Sequence, residues 1–381
     1  MFEGVREFHL PGVVYFGWGA VEKLGTEAHR FGTKALLVTG RGATKGETIL
    51  GRVSKLLAEA GVEAKRYSEV ESDPSPETVD QGVALARSWG AQMVIGLGGG
   101  SPMDAARAIA ALHNLEGSIL DYVRGRQIDR PGLPLLQVAT TSGTASEITP
   151  IAVILDRERK VKMGIRCPYG FAQVAITDPE LTMTMPPSVT ASSGVDALTH
   201  AVESYISKGA SPPSEGLSLE AIRLIGAYLR RAVNDGTDRE ARWGMALASM
   251  TAGMAFANAG LGAVHGLVHP VGAGFGVAHG AGCGLLLPHV LRFNLPAVSE
   301  KLRQVALALE PETQEAKPDD AIYAVERLLK DIGLPLRLRD LGIEQAALPE
   351  IAPLGLLAGA VKMNPVTLNE QTALRILEEA W

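Results

Sequence analysis

Short apolar runs alternate with helix-period stretches through the first part of the chain. VVYFG (13–17), ALLVTG (35–40), a run near 62–67, AQMVIGLGGG and LPLLQVAT (133–140) read as strands. Between them, Ile49, Val53, Leu56 and Leu57 recur at helical spacing, and PMDAARAIAALH is an alanine-rich helix. Ser75 is placed as an N-cap, with Pro76 at the first helical position and Gly90 as the stop. Strand–helix alternation of this kind predicts right-handed crossovers and a largely parallel sheet. The pattern changes after about residue 185. Pro186 and Pro187 open a helical stretch, and from there to Trp381 the periodicity is helical with no convincing strand pair. The expected organisation is an α/β domain at 1–185 and an all-helical domain at 186–381.

Composition narrows the function classes. Of 381 residues, 46% are hydrophobic and 20% charged, enough apolar surface to bury a sizeable core. A net charge of −6 argues against a general nucleic-acid binder, which needs a basic footprint. Two cysteines, Cys167 and Cys283, exclude a disulfide scaffold and a Cys-rich zinc module and fit a reducing compartment. The opening MFEGVREFHLPGVVYFG lacks the basic-then-apolar layout of a signal peptide, and the apolar window 259–288 is broken by glycines. The expectation is a soluble, cytoplasmic protein without a membrane span.

Two loops point to a phosphate-bearing ligand. Gly98-Gly99-Gly100-Ser101 lies between a buried strand and a helix, where glycines admit a pyrophosphate and the helix start supplies N–H groups. Asp104 is placed in the first turn, favouring helix initiation. The run matches neither GxGxxG nor a Walker loop, and many glycine-rich turns are only tight turns. The second loop, Thr140-Thr141-Ser142-Gly143-Thr144-Ala145-Ser146-Glu147, carries five hydroxyls in the seven residues 140–146. A polar helix cap would also explain it. Two such loops after neighbouring parallel strands fit ligand binding at strand carboxyl ends.

The strongest signal lies in the second half. Asp196 and His200 are spaced i, i+4 on one helix face, as are His265 and His269, and His279 follows across a glycine-rich loop. A single histidine on an apolar face is usually a packing residue. Four of the eight histidines (265, 269, 279 and 289) fall in one apolar, glycine-rich stretch, which favours a joint role. One carboxylate and three imidazoles suit Fe²⁺ or Zn²⁺. Such a site is formally +1 and acts as a Lewis acid on an alcohol or carbonyl oxygen. Cys167 precedes a proline with no histidine near it in sequence and reads as structural.

These segments resemble the iron-containing (group III) alcohol dehydrogenases over essentially the whole chain. PGVVYFGWGAVEKLG, GGGSPMD, TTSGTASE, AITDPELTMTMPPSVTASSGVDALTHAVE, NAGLGAVHGLVHPVG and the tail with Asn364-Pro365 carry the likeness. The resemblance implies a dinucleotide-binding α/β domain, a helical domain, and an active site in the cleft between them. It implies Asp196, His200, His265 and His279 as metal ligands, with His269 beside the metal as a proton relay. Gly98, Gly99, Gly100, Ser101, Thr140, Thr141 and Thr144 fall in its cofactor loops. Lys162 matches a lysine near the cofactor ribose, and Leu181, with Thr182, a segment near the adenosine. Dimerisation through the N-terminal strand is a further family expectation.

The chain departs from that pattern in three places. NPVTL stands where NPR is common. HGAGCGLLLPHV has Gly-Cys where small or amide residues are frequent, a change read as tolerated. Gly40 occupies a position where NAD-preferring members carry an acid that bonds the ribose and repels a 2′-phosphate. Gly40-Arg41-Gly42, with Thr44 and Lys45 close by, offers cations and no acid, so NADP(H) is expected over NAD(H). The expected reaction is hydride transfer between the nicotinamide and a small primary alcohol or aldehyde. Glycerol dehydrogenase and maleylacetate reductase chemistry are the neighbouring alternatives. A non-catalytic metal- or nucleotide-binding protein is the alternative of another class.

Overall fold

The computed structural model describes residues 7–42, 47–159, 161–167 and 169–381, which fall into two units. The first comprises Leu10–Thr141 and Ala145–Thr182. Its elements begin β1 (Val13–Phe16), α1 (Leu24–His29), β2 (Lys34–Gly40), α2 (Glu47–Glu59), β3 (Glu63–Val70) and α3 (Pro76–Trp89). They continue β4 (Met93–Gly98), α4 (Gly100–Leu112), α5 (Ile119–Val123), β5 (Leu135–Ala139), β6 (Ile151–Asp156), β7 (Val161–Arg166) and β8 (Val174–Thr177). Six strands form one parallel sheet in the order β1-β8-β5-β4-β2-β3.

The apolar runs are long because β2, β4 and β5 are covered on both faces. Leu36, Val38 and Val94 pack with Val79 and Val83 of α3 and with Ile109 of α4. Alternate residues Ala35, Leu37, Met93 and Ile95 pack with Leu24, Val53 and Leu57 of α1 and α2. Strand order reverses between β2 and β4, so the crevice for a ligand opens at their carboxyl ends, Gly40 and Gly98. Helix α3 ends as its sequence predicts. The Ser75 hydroxyl accepts the Thr78 N–H, Pro76 opens the helix, and Gly90 closes it in the left-handed conformation at φ 69°.

Three strands escape the sequence pattern. β6 and β7 form a separate antiparallel hairpin, and β8 enters the main sheet between β1 and β5. β7 alternates Val161, Met163 and Ile165 with Lys162, Gly164 and Arg166 but is only six residues long, and β8 has only four residues. Asp104 also differs from expectation. It is buried in α4, pairs with the buried Arg107 at 3.2 Å, and accepts the Val153 N–H at 3.0 Å. It therefore ties the β6–β7 hairpin to α4 and takes no part in starting the helix. Burial pushes its carboxyl up to about 6. Arg107 donates to the carbonyls of Ser146, Ile151 and Gly170, bracing the second loop.

The second unit comprises residues 7–9, Ser142–Thr144 and Met183–Trp381. It holds α6 (Pro187–Ile206), α7 (Pro212–Asn234), α8 (Arg239–Ala259), α9 (Ala263–Phe275), α10 (His279–Leu309), α11 (Asp320–Asp331), α12 (Leu348–Gly355) and α13 (Glu370–Ala380). No strand forms in it among the described residues. Small residues let its helices approach closely. A Cβ on Gly226 would lie 2.2 Å from the Leu309 carbonyl, and one on Gly244 would lie 2.1 Å from the Tyr228 ring. Among the described residues no single helix is long and apolar enough to cross a membrane. The pair α8 and α9 passes only when taken together, bent by 107°, and both are mostly buried.

Gly132 gives a test of the α/β packing. A Cβ there would sit 1.8 Å from the Ala110 carbonyl oxygen, which also accepts the Leu133 N–H. Gly132→Ala is expected to lower stability by about 1–3 kcal/mol through overpacking against rigid backbone. Urea titration measures this, and an unchanged midpoint would refute the close approach.

Candidate metal centre

Three helices each present a pair of chemistry-bearing residues one turn apart. α6 carries Asp196 and His200, α9 carries His265 and His269, and the first turn of α10 carries His279 and Cys283. Glycines bring α10 onto α6. A Cβ on Gly280 would lie 2.0 Å from the Ser192 carbonyl, and one on Gly284 would lie 2.5 Å from Val195. The neighbouring His279 and Cys283 are thereby set beside Asp196.

Asp196 Oδ1 is the hub. It lies 3.8 Å from His200 Nε2, 3.7 Å from His265 Nε2 and 3.7 Å from His279 Nε2. These separations are too long for hydrogen bonds and suit ligands that share one ion. Asp196 is 2% exposed, and its Oδ1 has no hydrogen-bond partner. An orphaned buried carboxylate oxygen facing three imidazole nitrogens fits a divalent cation. Against the effect of burial, His200, His279 and His265 hold the Asp196 carboxyl well below the usual carboxylate range. Burial lowers His200 to about 3, leaving it neutral as a ligand must be. His265 stands the other way. Despite burial, Cys283, Asp196 and Glu203 raise it well above the usual imidazole value.

The supporting residues fix these rings. Glu203, one turn past His200 on α6, holds His265 Nδ1 at 2.6 Å through Oε2 and accepts the Val264 N–H at 2.7 Å through Oε1. Nδ1–H donation to the carboxylate leaves Nε2 facing Asp196. The Asn364 side-chain oxygen accepts the Ala263 N–H and a bond from Asn294. Glu203 and Asn364 together cap the start of α9, whose dipole also favours the carboxylate. Gly262 is needed there, since a Cβ would come within 2.8 Å of Glu203 and 2.9 Å of Asn364. The His200 ring is sandwiched between Phe256 at 4.3 Å and His265 at 4.6 Å.

The residues read from sequence do not all meet. Asp196, His200, His265 and His279 converge. His269 lies outside that convergence, its ring 5.8 Å from that of His279. His289 lines a cleft with Arg292, Phe293 and Arg375. Cys283, read as a tolerated change, is a member of the cluster. One ligand atom each from Asp196, His265, His279 and Cys283 lies within 4.8 Å of every other. Glu203, three residues past His200, lies in the family-like run 175–203 without an assigned role, and the signal missed is a spacing: Cys283 follows His279 by four residues.

The candidate cofactor residues lie mainly in the α/β unit. Gly98 ends β4 at φ 147°, with Pro102 2.5 Å from where its Cβ would be. α4 starts at Gly100, presenting its amides beside Ser101. The Thr140 N–H donates to the Gly98 carbonyl at 2.9 Å, joining the two loops, and Thr141 packs beside Gly99. Buried Lys162 pairs with Asp73 at 2.8 Å, and the Asp73 N–H donates to the Ser101 hydroxyl. Leu181 is 2% exposed and packs in the core with Val21 and Leu24. Thr144 belongs to the helical unit, in the segment where Gly143 abuts Ser193. Gly40 ends β2, and Arg41 donates through Nε to the Glu69 carbonyl at 3.0 Å. Thr44 and Lys45 lie outside the described residues.

Residues 11–179 match the family described as iron-containing alcohol dehydrogenase, and residues 190–381 match the C-terminal family of Fe-containing alcohol dehydrogenases. The chain is 39% identical to a 1,3-propanediol dehydrogenase of Klebsiella pneumoniae, covering 98% of each chain. It is 34% identical to an NAD-dependent methanol dehydrogenase of Bacillus methanolicus, covering 99% of this chain and 100% of that one. A crystal structure of a 1,3-propanediol oxidoreductase superposes with a TM-score of 0.95 at 38% identity, covering 99% of this chain and 100% of that one.

If Glu203 orients His265, Glu203→Gln should lower metal affinity about 10–100-fold while the fold persists. Chelator competition followed by metal analysis reads this directly. Unchanged retention would remove Glu203 from the centre's support.

Proposed function

Because the chain belongs to the iron-containing alcohol dehydrogenase family, and is thus a metal-dependent alcohol or aldehyde oxidoreductase, we propose that it transfers hydride between NADP(H) and a small primary alcohol or aldehyde. The observation that carries this reading is the convergence of three imidazole Nε2 atoms on the orphaned Asp196 Oδ1. The same set accepts Fe²⁺ or Zn²⁺. A bound divalent cation supplies Lewis acidity toward the substrate oxygen. Asp196, His200, His265 and His279 hold it, and Glu203 keeps His265 in the ligating tautomer. Gly98, Gly99, Gly100 and Ser101 offer backbone donors to a pyrophosphate, with Thr140 and Thr141 beside them. His269, one turn from His265, carries the proton exchanged with solvent.

The cofactor preference rests on Gly40. Gly40 itself carries no carboxylate, and the Arg41 guanidinium beside it donates to the Glu69 carbonyl and lies 4.0 Å from the Glu69 carboxylate. That favours a 2′-phosphate over a bare ribose. The methanol dehydrogenase relative is named NAD-dependent, so this chain would differ from it in cofactor. A cytoplasmic setting is supported by two buried free cysteines. A homodimer through the N-terminal strand is supported by β1, which forms a sheet edge paired, among the described residues, only with β8.

His265→Ala is expected to abolish metal retention and turnover together. His269→Ala should keep the metal and lower kcat about 10²-fold. Metal analysis beside NADPH oxidation with a short aldehyde panel separates the two, and loss of metal from His269→Ala would make it a ligand. NADPH should support faster turnover than NADH at equal concentration. Gly40→Asp should reverse that order, since a Cβ there meets only the Val70 carbonyl at 3.7 Å. Parity of the two cofactors in the unaltered enzyme would sink the preference.

A further inference from the structure

Cys283 is fully buried on α10, one turn beyond His279. Its Sγ lies 3.7 Å from His279 Nε2 and 4.0 Å from His265 Nε2. Those are the same nitrogens that face Asp196 Oδ1 at 3.7 Å each. His265 Nδ1 is taken by Glu203, so Nε2 is its ligating atom. The sulfur therefore shares the donor cluster with an unpartnered carboxylate oxygen that is itself buried. A zinc ion with Zn–S about 2.3 Å and Zn–N about 2.0–2.1 Å sets S···N separations of about 3.5 Å at an S–Zn–N angle of about 110°. The observed pair of distances lies within about half an ångström of that value.

We propose that Cys283 is a sulfur ligand of the metal, joined to Asp196, His265 and His279, with His200, its Nε2 3.8 Å from Asp196 Oδ1, as a fifth donor. This deepens the metal-centre reading and rests on it. On binding, the S–H bond breaks, a metal–sulfur bond forms and the proton leaves to solvent. The donor set then carries two negative charges, and the centre is formally neutral where four ligands alone would leave it +1. A thiolate also tilts the site toward softer ions, zinc and cobalt over iron.

The test uses the full-length protein loaded with Co²⁺ alone. The unaltered protein should bind one equivalent and show a near-ultraviolet sulfur-to-cobalt charge-transfer band. Cys283→Ser and Cys283→Ala should keep the cobalt and lose the band. Cobalt bound without the band overturns the sulfur ligand and leaves the metal centre standing. A band that survives both variants assigns the sulfur to Cys167 and also overturns it. Failure to bind cobalt at all overturns the centre itself. If neither variant folds, X-ray absorption on the zinc-loaded unaltered protein decides. A sulfur scatterer at about 2.3 Å supports the ligand, and a purely nitrogen and oxygen shell rejects it.

Discussion

One carboxylate oxygen organises the helical unit. Asp196 Oδ1 is buried without a hydrogen bond, a state that costs several kcal/mol unless a positive charge is near. Three imidazoles face it at ion-sharing distance, and the carboxylate that holds one of them also caps a helix. A cation held by these donors would couple the packing of α6, α9 and α10 to its occupancy. Binding energy at such a site becomes folding energy for the helices that build it.

Glycine and proline decide how those helices arrive. Gly280 and Gly284 let the start of α10 rest on α6, and Gly262 leaves room for the two caps of α9. Pro270, Pro288 and Pro296 sit inside helices, and α10 is non-helical at Val298. Small residues cost helix stability and gain close approach. His279 and Cys283 stand next to Gly280 and Gly284, where α10 comes onto α6.

The α/β unit follows a simpler rule. A parallel sheet buried on both faces must send its polar loops out at strand ends, and reversal of strand order opens a crevice there. The glycines after β4 and the hydroxyls after β5 occupy that position, joined by the bond from Thr140 to Gly98. Asp104 and Arg107 show the limit of local reasoning. The position of Asp104 suggested a helix start, whereas burial makes Asp104 and Arg107 a clamp on the hairpin and the second loop.

Periodicity and turn chemistry are local, so the sequence by itself determined the parallel α/β half, the helical half, the caps of α3 and the i, i+4 pairs on α6 and α9. The likeness to a known family also marks Asp196, His200, His265 and His279 as a donor set. The β6–β7 hairpin and β8 were not legible, because their strands are only six, six and four residues long. Nor were Cys283, Glu203 and Asn364 as parts of one centre. They come from α10, α6 and the segment before α13, and nothing in a one-dimensional spacing relates residues 203, 283 and 364. Only tertiary packing decided that, since convergence on a single buried oxygen is a property of three helices docked at glycine contacts.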